Sequence, residues 1–483
     1  MSPRPLARWA PASAALALLL AALGGCATTS RLPGPGVAGG GLNASAERLI
    51  LVTIDNPPPP MLSEPGSTPH GYDIIGAYTV SAQARAIGAE LAHDYDLREV
   101  REWPIAPLGV QCLVFALPPT ADREALLRQL AADRRVRLTQ PLQLFDALGG
   151  QPDTTAGTGA AAPPAAGAAQ ARAATPVTFG ASSGSLAATA YNDPYIGLQH
   201  GFAAIEAGAA QQWTRGEGVS VAIVDTGVDV GHPDLVGRVA LTHNFIDDDM
   251  HAFATDRHGT GVAGIIGADA NNNLGIVGVA PAARLQIYKA CQPLQPQSLE
   301  AQCNSFTLAL ALEAAIEAHA QIVNLSLGGP ADPLLAQLIS FGQHRGMIFV
   351  GAVPGDGRLD GFPLGIPGVI AVDESGRSGA SSAASSTVLY APGRDILSLA
   401  PAGRYDFASG SSFAAAHVTG AIALLRARAP GLDAAALFSV LERTRSQGEH
   451  GDCINICAAL AALQPKYECS PAARAVASAT VMH

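Results

Sequence analysis

The sequence predicts an α/β fold: a three-layer domain on a mostly parallel sheet, preceded by a small α+β domain. Three observations carry this. From Val219 onward, short apolar runs rich in β-branched residues alternate with helical stretches, the pattern of a parallel sheet covered by helices on both faces. Before it, residues 47–148 show six elements in a different rhythm. Between the two, residues 149–191 are mostly Ala, Gly, Pro, Thr and Ser, too poor in large apolar groups to order themselves.

In chain order, residues 1–26 read as an export signal. Arg4 and Arg8 precede an apolar run, Ala14 to Leu23, that is short for a bilayer span. Leu23-Gly24-Gly25-Cys26 resembles a bacterial lipobox, which makes Cys26 the expected site of lipidation. With Ala27 next, the expectation is a membrane-anchored lipoprotein, in the outer membrane or periplasm of a Gram-negative host. Residues 27–46 read as a Gly/Pro tether.

In residues 47–148, Arg48 to Ile54, Leu97 to Trp103, Val110 to Leu117 and Val136 to Phe145 read as strands. Ala84, Ile87 and Leu91 share one helix face, and Leu126, Leu127 and Leu130 another. The order β-α-β-β-α-β is a split-βαβ, ferredoxin-like pattern. In residues 192–464, strands are expected at Val219, Leu285 to Tyr288, Ile322 to Leu327 and Met347 to Val350. Helices are expected at His258, Phe306 to His319, Ala434 to Arg443 and Cys453 to Leu463. Residues 465–483 read as a tail.

The net charge is −11, so the basic stripe that nucleic acid requires is not expected. Chemistry concentrates in three stretches. Ala408-Ser409-Gly410-Ser411-Ser412 runs into an Ala-rich helix, setting Ser412 at the helix start, where free N–H groups favour negative charge. An apolar strand ends in Asp225-Thr226-Gly227. His258-Gly259-Thr260-Gly261 opens a second small-residue helix. A serine hydroxyl needs a base to take its proton, and imidazole titrates in the right range. A carboxylate can then orient the ring.

These blocks resemble the D-T-G, H-G-T and G-T-S-M-A motifs of the subtilisin-like serine peptidases, over roughly Asn192 to Leu463. His232-Pro233-Asp234-Leu235, Gly278-Val279-Ala280-Pro281, Val323 to Gly329 and Tyr390-Ala391-Pro392-Gly393 support the match in order. The resemblance implies a serine endopeptidase acting on polypeptides, with Asp225, His258 and Ser412 as catalytic residues. Ser326, Leu327, Gly328 and Gly329 match the cleft-edge strand that binds substrate. Gly351 to Val353 match the far wall of the primary pocket. Residues 47–148 stand where the family carries a prodomain that assists folding and blocks the site until cut, and residues 149–191 are the expected cutting region. A small adaptor domain is the other reading.

One departure concerns the block in which the family's asparagine donates to the oxyanion. Here it reads Gly351-Ala352-Val353-Pro354-Gly355-Asp356-Gly357, with Gly355 at the asparagine position. Asp356 and Arg358 are the nearby candidates to replace it. A second class of function therefore stands beside the first: an impaired or self-processing-only homologue acting as a membrane-anchored binding or regulatory protein. No metal or cofactor is required for the chemistry. Asp269 to Gly275 resembles the family's calcium loop, so a structural calcium ion is one reading and a plain Asn/Gly turn the other. Of seven cysteines, Cys291 and Cys303 bracket a short insert and are expected to pair in an exported chain. Cys112 reads as a buried thiol, and Cys453, Cys457 and Cys469 as one pair plus one free thiol. His232, His243, His251, His319, His344 and His417 read as structural or solvated, and the Asp247 to Asp249 run as a solvated loop face, a cation site being its other reading.

Overall fold

The computed structural model describes residues 40–57, 79–149, 191–376, 387–448, 451–464 and 466. The signal and lipobox expectations, Cys26 included, lie outside them, as do most of the linker, Cys469 and the rest of the tail. Among the described residues no helix is long and apolar enough to cross a membrane.

A 3-10 helix, Gly40–Arg48, leads into the N-terminal unit: β1 (Leu49–Asp55), α1 (Ala82–Asp94), β2 (Arg98–Ile105), β3 (Val110–Ala116), α2 (Arg123–Ala131) and β4 (Val136–Pro141). The strands form an antiparallel sheet in the order β2-β3-β1-β4. Each helix starts on an acceptor cap: Ser81 Oγ takes the Ala84 N–H and Asp122 Oδ1 the Ala125 N–H. Ile50, Val52, Ile54, Leu91, Leu113, Phe115 and Leu130 make the core between sheet and helices.

Two expectations need correction here. Residues 40–46, read as tether, belong to the 3-10 helix, and Asn43 is hydrogen-bonded with Asn304. The single strand expected over Val136 to Phe145 is two. Pro141 has no N–H to extend the ladder, and β5 (Leu144–Ala147) leaves for a different sheet.

The larger unit follows with short helices α3 (His200–Ala204) and α4 (Ala207–Ala210), then β6 (Ser220–Asp225), β7 (Val239–Asn244), α5 (Met250–Ala254), α6 (Arg257–Gly267), β8 (Arg284–Lys289), β9 (Cys291–Pro293) and β10 (Ala301–Asn304). Next come α7 (Ser305–Glu317), β11 (Ile322–Leu325), β12 (Leu327–Gly328), α8 (Pro333–His344), β13 (Ile348–Ala352), β14 (Ile370–Glu374) and β15 (Val388–Ala391). The chain continues through the antiparallel pair β16 (Ile396–Ala400) and β17 (Arg404–Ala408), α9 (Ser411–Arg428), α10 (Ala434–Arg443), β18 (Ser446–Gly448), β19 (Gly451–Cys453) and α11 (Ile456–Leu463). The last helix starts at Ile456, not Cys453, because the Asn455 side chain accepts the Ala458 N–H and fixes the start.

Seven strands form the central sheet, β15-β14-β13-β11-β6-β8-β7, with every pairing parallel. Strands buried on both faces explain the uninterrupted apolar runs read from the sequence. Helix α9 is buried from Ser411 to Leu425, and its alanines let it cross the sheet closely. Cys291 and Cys303 form a disulfide. Cys112 and Cys453 are buried free thiols, and Cys457 is disulfide-bonded.

Candidate active site

Asp225 is the last residue of β6, and His258 is the second residue of α6. Gly259 lets that helix approach: a Cβ there would sit 2.6 Å from the Gly227 carbonyl oxygen. Thr226 Oγ1 accepts the Gly259 N–H at 2.9 Å. Ser412 lies in the first turn of α9, after Gly410 at φ 147°, a backbone suited to glycine. These anchors bring the three predicted residues together. His258 Nδ1 donates to Asp225 Oδ1 at 2.7 Å, and His258 Nε2 lies 3.1 Å from Ser412 Oγ. The Thr226 N–H also donates to Asp225 Oδ1, at 2.6 Å. Asp225 Oδ2 is buried with no hydrogen-bond partner among the described residues. A dry carboxylate holding Nδ1–H leaves Nε2 free to take a proton from the serine.

The predicted cleft strand, Ser326 to Gly329, lies beside this relay and is tied to α9. Ser326 Oγ donates to the Ser412 carbonyl at 3.2 Å, and the Asn324 amide donates to Thr419 Oγ1 at 2.9 Å. The cleft is filled by the chain itself. β5 is sandwiched between β12 and β10, antiparallel to both, with Leu327 opposite Ala147 and Cys303 opposite Phe145. The Leu148 N–H donates to the Ser326 carbonyl at 3.0 Å. The Leu148 carbonyl oxygen lies 2.7 Å from Ser412 Oγ. One hydroxyl proton therefore has two acceptors in reach, His258 Nε2 and Leu148 O. Gly149 sits against the imidazole so closely that a Cβ would meet His258 Cδ2 at 2.3 Å. Phe145 is fully buried, edge-on to Phe362 with centroids 5.2 Å apart. Leu148 reaches the Gly328 backbone near Pro354.

The model of the subtilase family, Peptidase S8, matches residues 216–457. The chain belongs to the subtilase family. This subtilase is 38% identical over 246 residues to the intracellular serine protease of Paenibacillus polymyxa, spanning 47% of this chain and 73% of that protein. It is 33% identical over 260 residues to thermitase of Thermoactinomyces vulgaris, spanning 52% of this chain and 90% of that protein. Among solved structures, fervidolysin from Fervidobacterium pennivorans, described as a keratinolytic enzyme related to subtilisin, superposes with a TM-score of 0.60 at 21% identity. The match covers 85% of this chain and 60% of that one, a likeness of fold.

The stretch expected to serve the oxyanion, Gly351 to Gly357, runs from β13 into an exposed turn. Gly355 has no side chain to donate. Arg358 spends Nε and an Nη on Asp360, both at 3.0 Å, while an Asp356 oxygen accepts the Arg358 N–H; all three side chains are exposed. Neither Asp356 nor Arg358 offers a donor at Leu148 O in this arrangement. Ser411 Oγ donates to the Val353 carbonyl at 2.6 Å. The Ser412 N–H remains, in a helix turn that lacks intrahelical acceptors.

The loop resembling a calcium site is held by hydrogen bonds. Both Asp193 oxygens accept the Asn271 N–H, and Asp234 accepts the Ile276 N–H and the Asn272 amide. Asn271 and Asn272 oxygens accept further N–H groups. These hydrogen bonds hold the loop in an Asn-rich turn, the other reading of this stretch. Among the described residues there is no group of three or more His, Cys, Asp or Glu side chains set to hold a metal.

Sequence reasoning missed two parts of the site. The disulfide-closed hairpin β9–β10 forms the second cleft wall, and a buried pair, Asp256 and Lys289, lies behind Asp225, with Nζ 2.6 Å from Oδ2. A lysine ending an apolar strand beside the Asp225 strand was the available signal.

Proposed function

We propose that this subtilase is an exported serine endopeptidase whose first substrate is its own Leu148–Gly149 bond. The observation carrying this reading is the Asp225–His258–Ser412 relay with the Leu148 carbonyl against the serine hydroxyl. Ser412 Oγ bonds to the carbonyl carbon as His258 Nε2 takes its proton. Asp225 holds the ring and stabilises the imidazolium. The tetrahedral oxyanion is met by the Ser412 N–H. The C–N bond breaks as His258 returns the proton to the Gly149 nitrogen. Water, deprotonated by the same imidazole, then releases the acyl group.

In this reading residues 47–148 are a prodomain, and β5 is both the first substrate strand and, after the cut, an inhibitor. The preferred peptide carries an aromatic residue four before the cut bond, as Phe145 does, and a leucine-sized residue at it. Cys26 carries the lipid and stays with the prodomain, and the cut frees residues 149 onward from that covalent anchor.

The absent side-chain donor favours a second reading, a protein that processes itself and turns over other peptides poorly. Loss of one such donor costs about two to three orders of magnitude in kcat, the type case being itself a subtilisin. Labelling of the processed chain, freed of residues 47–148, by a fluorophosphonate, compared with Ser412→Ala, tests the first reading: an adduct on Ser412 supports it and none contradicts it. Steady turnover of a Phe-x-x-Leu peptide separates it from the second, which gives one cut and then little more.

A further inference from the structure

Lys289 ends β8 as the register partner of Asp225, and its side chain is 2% exposed; that of Asp256 is 6% exposed. Burying two charges costs desolvation, and an apolar pair of like volume often serves stability as well. The pair therefore calls for another account. Asp256 immediately precedes α6, the helix bearing His258, yet its carboxylate does not cap that helix. Instead Oδ2, which faces Lys289, also accepts the Gly227 N–H at 2.8 Å, from the turn that follows Asp225. Its carbonyl accepts the Thr260 hydroxyl at 2.6 Å, and Thr260 Oγ1 accepts the Asp229 N–H at 3.0 Å. One residue thus joins the aspartate turn, the histidine helix and the end of β8.

We propose that Asp256 and Lys289 are positioning residues for the relay: their ion pair locks the His258 helix onto the Asp225 turn and cancels the charge of a second carboxylate behind Asp225. The proposal rests on the reading of Ser412 given above. The groups that face this region are Asp225 on β6, Lys289 on β8 and Ser412 on α9, with the Leu148 carbonyl and Gly149 after β5. Asp229 follows β6, and on α5 Asp249 caps the helix beside His251. Arg257 is paired with Asp406 on β17 at 2.6 Å. Burial pushes the Asp256 carboxyl upward; the Lys289 ammonium and then the Gly227 N–H oppose this, and the Asp225 charge adds to it.

The test is the pH dependence of Ser412 labelling in variants of the pair, each processed to free the cleft. Lys289→Met leaves the Asp256 carboxylate uncompensated, so the acid limb of labelling moves to higher pH. Asp256→Asn leaves the ammonium uncompensated, so the limb moves to lower pH. The double variant returns it towards the wild-type position. A purely structural role lowers the rate in all three and leaves the limb in place, and that result, or shifts in one direction for both single variants, overturns the proposal. Should a single variant fail to fold, Lys289→Arg and Lys289→Gln carry the comparison: Arg holds the limb, Gln raises it, and equal limbs overturn the proposal. The outcomes also separate the two readings. A processed wild type that stays unlabelled defeats the assignment of Ser412, whereas an unmoved acid limb defeats the ion-pair proposal alone.

Discussion

Phe145→Ala tests whether β5 occludes the site. The ring is fully buried in the cleft, edge-on to Phe362, and Gly329 leaves it room, since a Cβ there would stand 2.5 Å from Phe145 Cδ1. Truncating a buried Phe to Ala costs about 3 to 5 kcal/mol in a core. The β5 ladders to β10 and β12 use only backbone and survive the change, so the lower figure, about 3 kcal/mol, applies. At 1.4 kcal/mol per tenfold this is about a hundredfold in the fraction of molecules with an open cleft. The assay is the rate of fluorophosphonate labelling of Ser412 in freshly purified protein, in which β5 stays seated before and after the cut. Ser412 and His258 are fully buried with β5 in place, so labelling tracks opening. A rate in Phe145→Ala equal to wild type would refute the view that this strand blocks the nucleophile.

Three further outcomes are expected. Glu313 on α7 accepts the Ala106 N–H of the N-terminal unit at 2.8 Å, and burial pushes its pKa up to about 8. Separation exposes it and returns it to the ordinary carboxyl range, so the docked state holds a proton the separated state releases. Docking is then strongest below about pH 4.5 and weakens as pH rises through about 8; stopped-flow labelling from pH 5 to 9 should show this, and Glu313→Gln should flatten it. Reducing Cys291–Cys303, a closure of sequence separation 12, frees the hairpin that forms one cleft wall; about 3 kcal/mol is the scale for such a loop. The KM of extended peptides should rise with kcat little changed, while a short ester substrate is unaffected. Gly355→Asn supplies the donor the loop lacks and should raise kcat on peptides by one to two orders of magnitude, about the converse of the known loss; an unchanged kcat would mean that another group already serves the oxyanion.

Much of the fold was legible because its signals are local. Strands such as Val221 to Val224 are apolar throughout, as burial on both faces demands, and Gly410, Gly259 and the flanking small residues mark the tight approaches around the relay. What was illegible depends on partners far along the chain. Val136 to Phe145 alternates as one strand, yet β5 pairs with segments more than 150 residues away, and no feature of Leu144 to Ala147 alone names them. The Asp256–Lys289 pair joins two segments that show no shared pattern. The helix start at Ile456 was readable in principle, since Asn455 is a good cap, but the nearby cysteines drew the boundary earlier.

The most direct measurement is intact-mass analysis of freshly expressed wild type and Ser412→Ala over time. The account predicts a break between Leu148 and Gly149 in the wild type and an unbroken chain in the variant. The same break in Ser412→Ala, or a wild type that stays whole and takes no adduct on Ser412, would contradict it.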